Sequence, residues 1–185
     1  MTLGARPGLD HLYRDFSDQV QLVSVYAREA HPGEIYPHHT SEEQKMRHAL
    51  DWAEQDQVLW PVAVDTLDGK THRAYGPVPN SAYLIDGTGR VAFRALWAGQ
   101  EGLLRDRIQE LLAKETEGIP VVLGEQENRV IPLLHGGAEF DHAVSRGGEK
   151  AKEDFRREMG TLAYAYQELM SAAEPVINPG NRSRR

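Results

Sequence analysis

The segment that decides the fold class is residues 20–26, which read VQLVSVY. The segment is β-branched and nearly all apolar, which is typical of a strand buried on both faces of a parallel sheet. Upstream, apolar residues at helical spacing after Pro7 predict a short amphipathic helix over residues 7–17. These apolar residues are Leu9, Leu12, Tyr13 and Phe16. A helix followed by a buried strand predicts an α/β fold.

Downstream, a loop over residues 30–39 carries two prolines, a glycine and three histidines. A capping box that begins at Thr40-Ser41 predicts a helix from about residue 42 to 56. We expect its apolar residues Met46, Leu50 and Ala53 to share one face. A second strand is predicted over residues 58–65, where Pro61 lies near the start and its missing N–H is tolerated.

Two further strands, residues 81–86 and 90–96, are joined by the turn sequence DGTG and predict an antiparallel hairpin. Leucines and an isoleucine at helical spacing predict a helix over residues 100–115. A last apolar stripe predicts a helix over residues 149–172, which packs either on its own domain or against a second copy in a homodimer. The predicted organisation is a domain over residues 1–117, a helical C-terminal extension over 118–175 and a disordered basic tail over 176–185.

Composition excludes several classes of function. The 185 residues carry a formal net charge of −7 and include no cysteine. A mixed, acidic surface argues against nucleic-acid binding, and a chain without cysteine has no disulfide, zinc–thiolate site or thiol nucleophile. No apolar stretch approaches the length of a membrane span, and a secretory signal is missing, so we expect no membrane partner and a cytoplasmic location.

Known motifs supply few candidates. No serine lies in a Gly-x-Ser-x-Gly setting and no phosphate loop precedes a helix, so we predict neither a hydrolase nor a cofactor. The three tryptophans, Trp52, Trp60 and Trp97, are expected in the core or at its rim. Histidines near residues 31–48 could form a metal cluster, with His38 and His39 as weak candidates, or remain exposed loop histidines that line a pocket.

Four stretches together resemble one family. Residues 25–32 (VYAREAHP), 60–65 (WPVAVD), 78–86 (VPNSAYLID) and 90–94 (RVAFR) resemble the iodothyronine deiodinases and their bacterial relatives, which are redoxins of the thioredoxin fold. The resemblance covers roughly residues 7–115. It implies a thioredoxin-like mixed sheet flanked by helices and a redox centre that Glu29 and His31 flank. It also implies that Pro79 has a cis peptide bond and faces this centre.

Tyr26 and Tyr36 are candidates to border a ligand groove near His31. An imidazole titrates near neutral pH and a carboxylate can fix its tautomer, so Glu29 and His31 are suited to proton transfer. The alternative interpretation is an ordinary loop histidine held by a local carboxylate.

The chain departs from the family pattern at its start. The reactive cysteine or selenocysteine of the family follows a first strand, and this chain begins at that loop. The family's first strand lies between the strands that we assign to residues 20–26 and 81–86. We expect an earlier start of the natural chain, a closing of the two flanking strands, or replacement by residues 119–123, in that order.

Three functions follow as hypotheses. The first is a redoxin that reduces a small-molecule substrate (a peroxide, a disulfide or a halogenated aromatic) through a thiol outside this chain. The second is a non-catalytic module that binds a ligand or a partner. The third is a metal-dependent enzyme built on the histidine loop.

Overall fold

The structure is a computed structural model that describes residues 5–76, 80–126, 142 and 144–159. In chain order its elements are α1 (Arg6–Phe16), β1 (Ser24–Tyr26), α2 (Glu42–Gln55), β2 (Val62–Val64), α3 (Lys70–Tyr75), β3 (Ala82–Ile85), β4 (Val91–Ala95), α4 (Glu101–Glu117), β5 (Glu125–Gln126) and α5 (Glu149–Met159). The mixture of helices and strands confirms the α/β class.

The chain divides into two compact units. The first unit contains Met1–Leu22 and Gly76–Leu133, and the second contains Val23–Tyr75 and Leu134–Arg185. Each unit has its own sheet, because β3, β4 and β5 belong to the first and β1 and β2 to the second. The domain boundary that we predict at residue 117 stays a prediction, as does the thioredoxin-like arrangement of the strands.

In the second unit, α2 connects two parallel strands. Ser24 of β1 lies opposite Val62 of β2, and Tyr26 lies opposite Val64. Helix α2 begins where predicted, since the Ser41 hydroxyl accepts a hydrogen bond from the Gln44 backbone N–H at 3.2 Å. This unit therefore has the strand–helix–strand connection that parallel pairing requires.

The buried face of α2 differs from the predicted one. Met46 and Leu50 are 47% and 54% exposed. The helix instead buries Lys45, His48, Ala49 and Trp52. Ala49 and Trp52 pack with Tyr26 in the core of the unit, and this contact sets the rotation of the helix. The polar groups on the buried face are tolerated where they find partners, since the Lys45 ammonium donates to the Thr66 carbonyl at 2.7 Å.

In the first unit, β3 and β4 form the predicted antiparallel hairpin. Its turn is organised by Asp86, whose carboxylate accepts hydrogen bonds from the backbone N–H groups of Thr88 and Arg90. Helix α4 packs against β4 and against α1. The three tryptophans are buried, as predicted.

The strands are shorter than predicted, and two elements were not predicted from the sequence. Strands β1 and β2 have three residues each, where longer strands were expected. Helix α3 and strand β5 have no counterpart among the predictions. Helix α5 begins at the predicted residue. Pro79, residues 127–141, the predicted helix beyond Met159 and the basic tail lie outside the described residues.

Candidate functional site

The carboxyl end of β1 places a phenol beside a carboxylate. The Tyr26 hydroxyl donates a hydrogen bond to Glu29 Oε2 at 2.9 Å, and the other carboxylate oxygen accepts from the Ala30 backbone N–H at 3.2 Å. Burial of Tyr26 and the charge of Glu29 raise the pKa of the phenol far above its usual range. The Tyr26 hydroxyl is therefore protonated at neutral pH, and loss of its proton is strongly unfavourable.

Two imidazoles extend this pair into an aromatic cluster. The His39 ring meets Tyr26 edge-on at 5.6 Å between ring centroids, and His48 lies 5.0 Å from His39. Tyr36 packs edge-on against His48, also at 5.0 Å. We call Tyr26, Glu29, Tyr36, His39 and His48 the tyrosine–histidine cluster. Helix α2 contributes His48, Tyr26 ends β1, and the other three members lie between β1 and α2.

Both imidazoles of the cluster favour the neutral form. Burial lowers the pKa of His39, and the charges of His48 and Lys45 lower it further. Burial also lowers the pKa of His48, although Glu29 opposes this effect. A neutral imidazole has one N–H donor and one acceptor nitrogen. Each ring can therefore accept a proton on one side and release one on the other, which is the property that a proton relay needs.

Arg146 joins the cluster from a distant part of the sequence. Its guanidinium carbon lies 4.3 Å from the centroid of the Tyr36 ring, in a cation–π contact. One terminal nitrogen donates to the His48 carbonyl at 3.4 Å. Val144, two positions earlier, is buried. Arg146 thus adds a positive charge at the Tyr36 side of the cluster.

The loop that carries His31 contacts α5, the last described helix. The His31 ring packs edge-on against Phe155 of α5 at 5.9 Å. Glu34 accepts hydrogen bonds from the first two backbone N–H groups of α5, those of Glu149 at 2.7 Å and Lys150 at 2.9 Å. A carboxylate at this position satisfies donors that the helix itself leaves unpaired.

The candidate residues from the sequence separate into two groups. Tyr26, Glu29 and Tyr36 come together in the tyrosine–histidine cluster. His31 contacts α5. Pro79 lies outside the described residues, so neither its isomer nor its surroundings can be compared with the prediction.

The histidines differ in exposure. His38 is exposed and His39 is half-buried. His48 is only 8% exposed, so its interpretation as an exposed loop histidine was wrong. The residues that the structure describes contain no group of three or more His, Cys, Asp or Glu side chains that could hold a metal ion.

Sequence reasoning missed the roles of His48 and Arg146. His48 could have been found, because Lys45 and Trp52 share its helical face at spacings of three and four. Arg146 gave no signal, since it is separated from His48 by 98 positions.

Within the described ranges, no helix combines the length and the apolar character that crossing a bilayer demands. No protein-family model, curated protein or solved structure matches this chain. The resemblance to the deiodinase-like redoxins therefore rests on the quoted residues alone.

Proposed function

We propose that this chain is a deiodinase-like redoxin in which the tyrosine–histidine cluster transfers protons while an external thiol supplies the electrons. The observation that carries the proposal is the 2.9 Å hydrogen bond between Tyr26 and Glu29 beside the neutral ring of His39. Tyr26 and Glu29 lie in the stretch VYAREAHP, which carries the family resemblance, whereas His39 follows that stretch by seven residues. The resemblance and the cluster thus share Tyr26 and Glu29.

The chemistry needs two thiols for each turnover. With a peroxide, a thiolate sulfur attacks one oxygen, the O–O bond breaks, and the second thiol displaces the sulfur-bound hydroxyl to form a disulfide and two molecules of water. With an aryl iodide, sulfur takes the iodine, the ring carbon gains a proton, and the second thiol releases iodide and forms the disulfide. In both reactions protons move from the thiols to the product.

The cluster is suited to these proton movements. Neutral His39 can accept the proton of an attacking thiol on its acceptor nitrogen, and Glu29 can stabilise the imidazolium that forms. The effect of Glu29 is opposed by burial, which favours the neutral ring and returns the proton. General acid–base catalysis of this kind contributes about 10²–10⁴-fold in rate.

The strand edges support a thioredoxin-like sheet. Among the described residues, β1 pairs only with β2, and β3 pairs only with β4. Each of the two strands therefore offers one edge to a further strand, as the sheet implied by the resemblance requires. An unpaired strand edge carries N–H and C=O groups that favour such an addition.

The direct test is thiol-dependent turnover by the purified chain. Dithiothreitol serves as the thiol, with hydrogen peroxide in one series and an iodophenol in another. We expect faster loss of peroxide or release of iodide than with dithiothreitol alone. Glu29→Gln should lower the accelerated rate by about 10²-fold or more. His38→Gln, which changes an exposed neighbour of His39, is the matched control and should retain the rate.

A non-catalytic binding module is the second candidate, because none of the 185 residues is a cysteine. It predicts that neither substrate turns over faster than with thiol alone, while the cluster still binds a small molecule. Equal rates with and without the protein would therefore rule out the redoxin proposal and favour the binding module.

A further inference from the structure

Three nitrogen atoms around Tyr36 and His48 have no hydrogen-bond partner within the part of the chain that the structure describes. They are Nε2 of His39, Nδ1 of His48 and Nε of Arg146, and all three are buried. Leaving a buried polar atom unpaired costs about 1–3 kcal/mol. Buried polar groups in proteins are paired in the great majority of cases. Three nitrogens on contacting residues that lack a partner in the described ranges therefore indicate a place for a further hydrogen-bonding partner.

The residues that carry these atoms form a continuous set of contacts. The rings of His39 and His48 lie 5.0 Å apart, and Arg146 covers the Tyr36 ring that packs against His48. His48 itself is 8% exposed. The unpaired atoms therefore belong to one site rather than to three separate places.

Arg146 also differs from other arginines of the described residues in its partners. No carboxylate in the described ranges forms an ion pair with Arg146, whereas arginines such as Arg105 and Arg107 each bind two carboxylates. A half-buried guanidinium without an anion lacks its most favourable partner. The missing partner should thus accept hydrogen bonds and carry negative charge.

We propose that Arg146, His39 and His48 form a binding site for a small organic carboxylate. One carboxylate oxygen accepts from Arg146 Nε, and the imidazoles donate to the second oxygen or to the same one. The site shares His39 and His48 with the tyrosine–histidine cluster, and a carboxylate ligand goes beyond the peroxide and the aryl iodide of the proposed function. Because the three nitrogens are buried, side chains around them must move for the ligand to reach them.

A monocarboxylate fits this site better than a phosphate. The guanidinium supplies one positive charge and the two imidazoles are neutral, so a monoanion adds less uncompensated negative charge than a dianion. Glu29 contributes a nearby negative charge that acts on both histidines. The aromatic rings of Tyr26, Tyr36 and Trp52 cannot replace the water around a dianion, and they favour a ligand with an apolar body.

The test is a titration with sodium benzoate, followed through the histidine ring signals in NMR and through the heat of binding. His39→Gln and His48→Gln assign the two signals. We expect both signals to shift saturably in the unaltered chain. Arg146→Gln should weaken binding by about tenfold or more, because a charge-assisted hydrogen bond and its charge are lost. Arg157→Gln, in the exposed Arg157–Asp154 pair of the following helix, is the matched control and should retain affinity.

Several results would overturn the inference. Absence of a saturable shift in the unaltered chain would do so whether or not the Arg146 variant folds. Equal affinity of Arg146→Gln, or displacement of benzoate by an equal concentration of inorganic phosphate, would also contradict a monocarboxylate site. The titration contains no thiol or reducible substrate, so its failure is distinguishable from a failure of the redoxin proposal.

Discussion

Burial lowers the pKa of His39 and of His48, so both rings bind protons less readily in the folded chain than in the unfolded one. Below the ordinary value of 6.5, the unfolded chain binds more protons, and the free energy of unfolding must fall as the pH falls. The stabilisation is fully present above this value. Carboxylates with lowered pKa values change the free energy of unfolding at lower pH. Between about pH 5 and 7, its change with pH therefore comes from the imidazoles.

We therefore expect urea unfolding to show lower stability at pH 5 than at pH 7. The loss should be smaller in His48→Gln and in His39→Gln, because the amide cannot gain a proton. His38→Gln, at an exposed ring, should lose as much stability as the unaltered chain. If His39→Gln and His48→Gln lose as much stability at pH 5 as the unaltered chain does, the idea that His39 and His48 are neutral in the folded chain is wrong.

Some residues of the tyrosine–histidine cluster were named as candidates from the sequence. Glu29 was named because the resemblance implies that it flanks the redox centre, and Tyr26 and Tyr36 were named as possible borders of a groove near His31. His39 was considered as a weak candidate metal ligand or as an exposed loop histidine that lines a pocket. Arg146 was inaccessible to this reasoning, because a contact across 98 positions depends on tertiary packing rather than on local pattern.

Among the elements, the contact between the loop before α2 and the turn before α5 depends on two glycines. A Cβ atom added at Gly33 would overlap the carbonyl oxygen of Gly147, whereas one added at Gly102 of α4 meets nothing within 4 Å. Gly33 and Gly102 therefore form a matched pair for the same Gly→Ala change.

Gly33→Ala should lower the free energy of unfolding by about 1–3 kcal/mol, as overpacking does. Gly102→Ala should raise it by about 0.5–1 kcal/mol, because alanine restricts the unfolded chain and favours the helix. Urea denaturation measures both. A Gly33→Ala variant as stable as the unaltered chain would show that the Gly33–Gly147 contact can open without cost, which contradicts this prediction.

The helices were predicted better than the strands. A period of 3.6 residues repeats several times within α1, α2 and α4, so their ends were found within about two residues. Helix α3 has only six residues and depends on Asp65, whose carboxylate accepts from the Thr71 and His72 backbone N–H groups. Burial raises the pKa of Asp65, but these hydrogen bonds outweigh it and lower the value to about 2. Such a cap appears only once the chain is folded.

For the whole molecule, the division into two compact units has a thermodynamic consequence. Each unit has its own sheet and its own buried residues, so local opening need not spread equally through both. Ile108 is buried in α4 of the first unit, and Trp52 is buried in α2 of the second.

Ile108→Ala should cost about 2–5 kcal/mol and speed amide hydrogen exchange mainly in residues 5–22 and 80–126. Trp52→Leu should produce the opposite pattern, with faster exchange mainly in residues 23–75. Hydrogen exchange followed by mass spectrometry measures both variants. Uniform acceleration in either variant would show that the molecule opens as one cooperative unit.

The buried ammonium group of Lys45 has a practical consequence for protein chemistry. The chain has five lysines, and only Lys45 has its side chain enclosed, at 1% exposure. Reagents that methylate or acylate amines should thus modify the other four in the native protein and leave this one unreacted. Modification at Lys45 would then occur only in molecules whose α2 has detached, so its rate records how often that helix opens under native conditions.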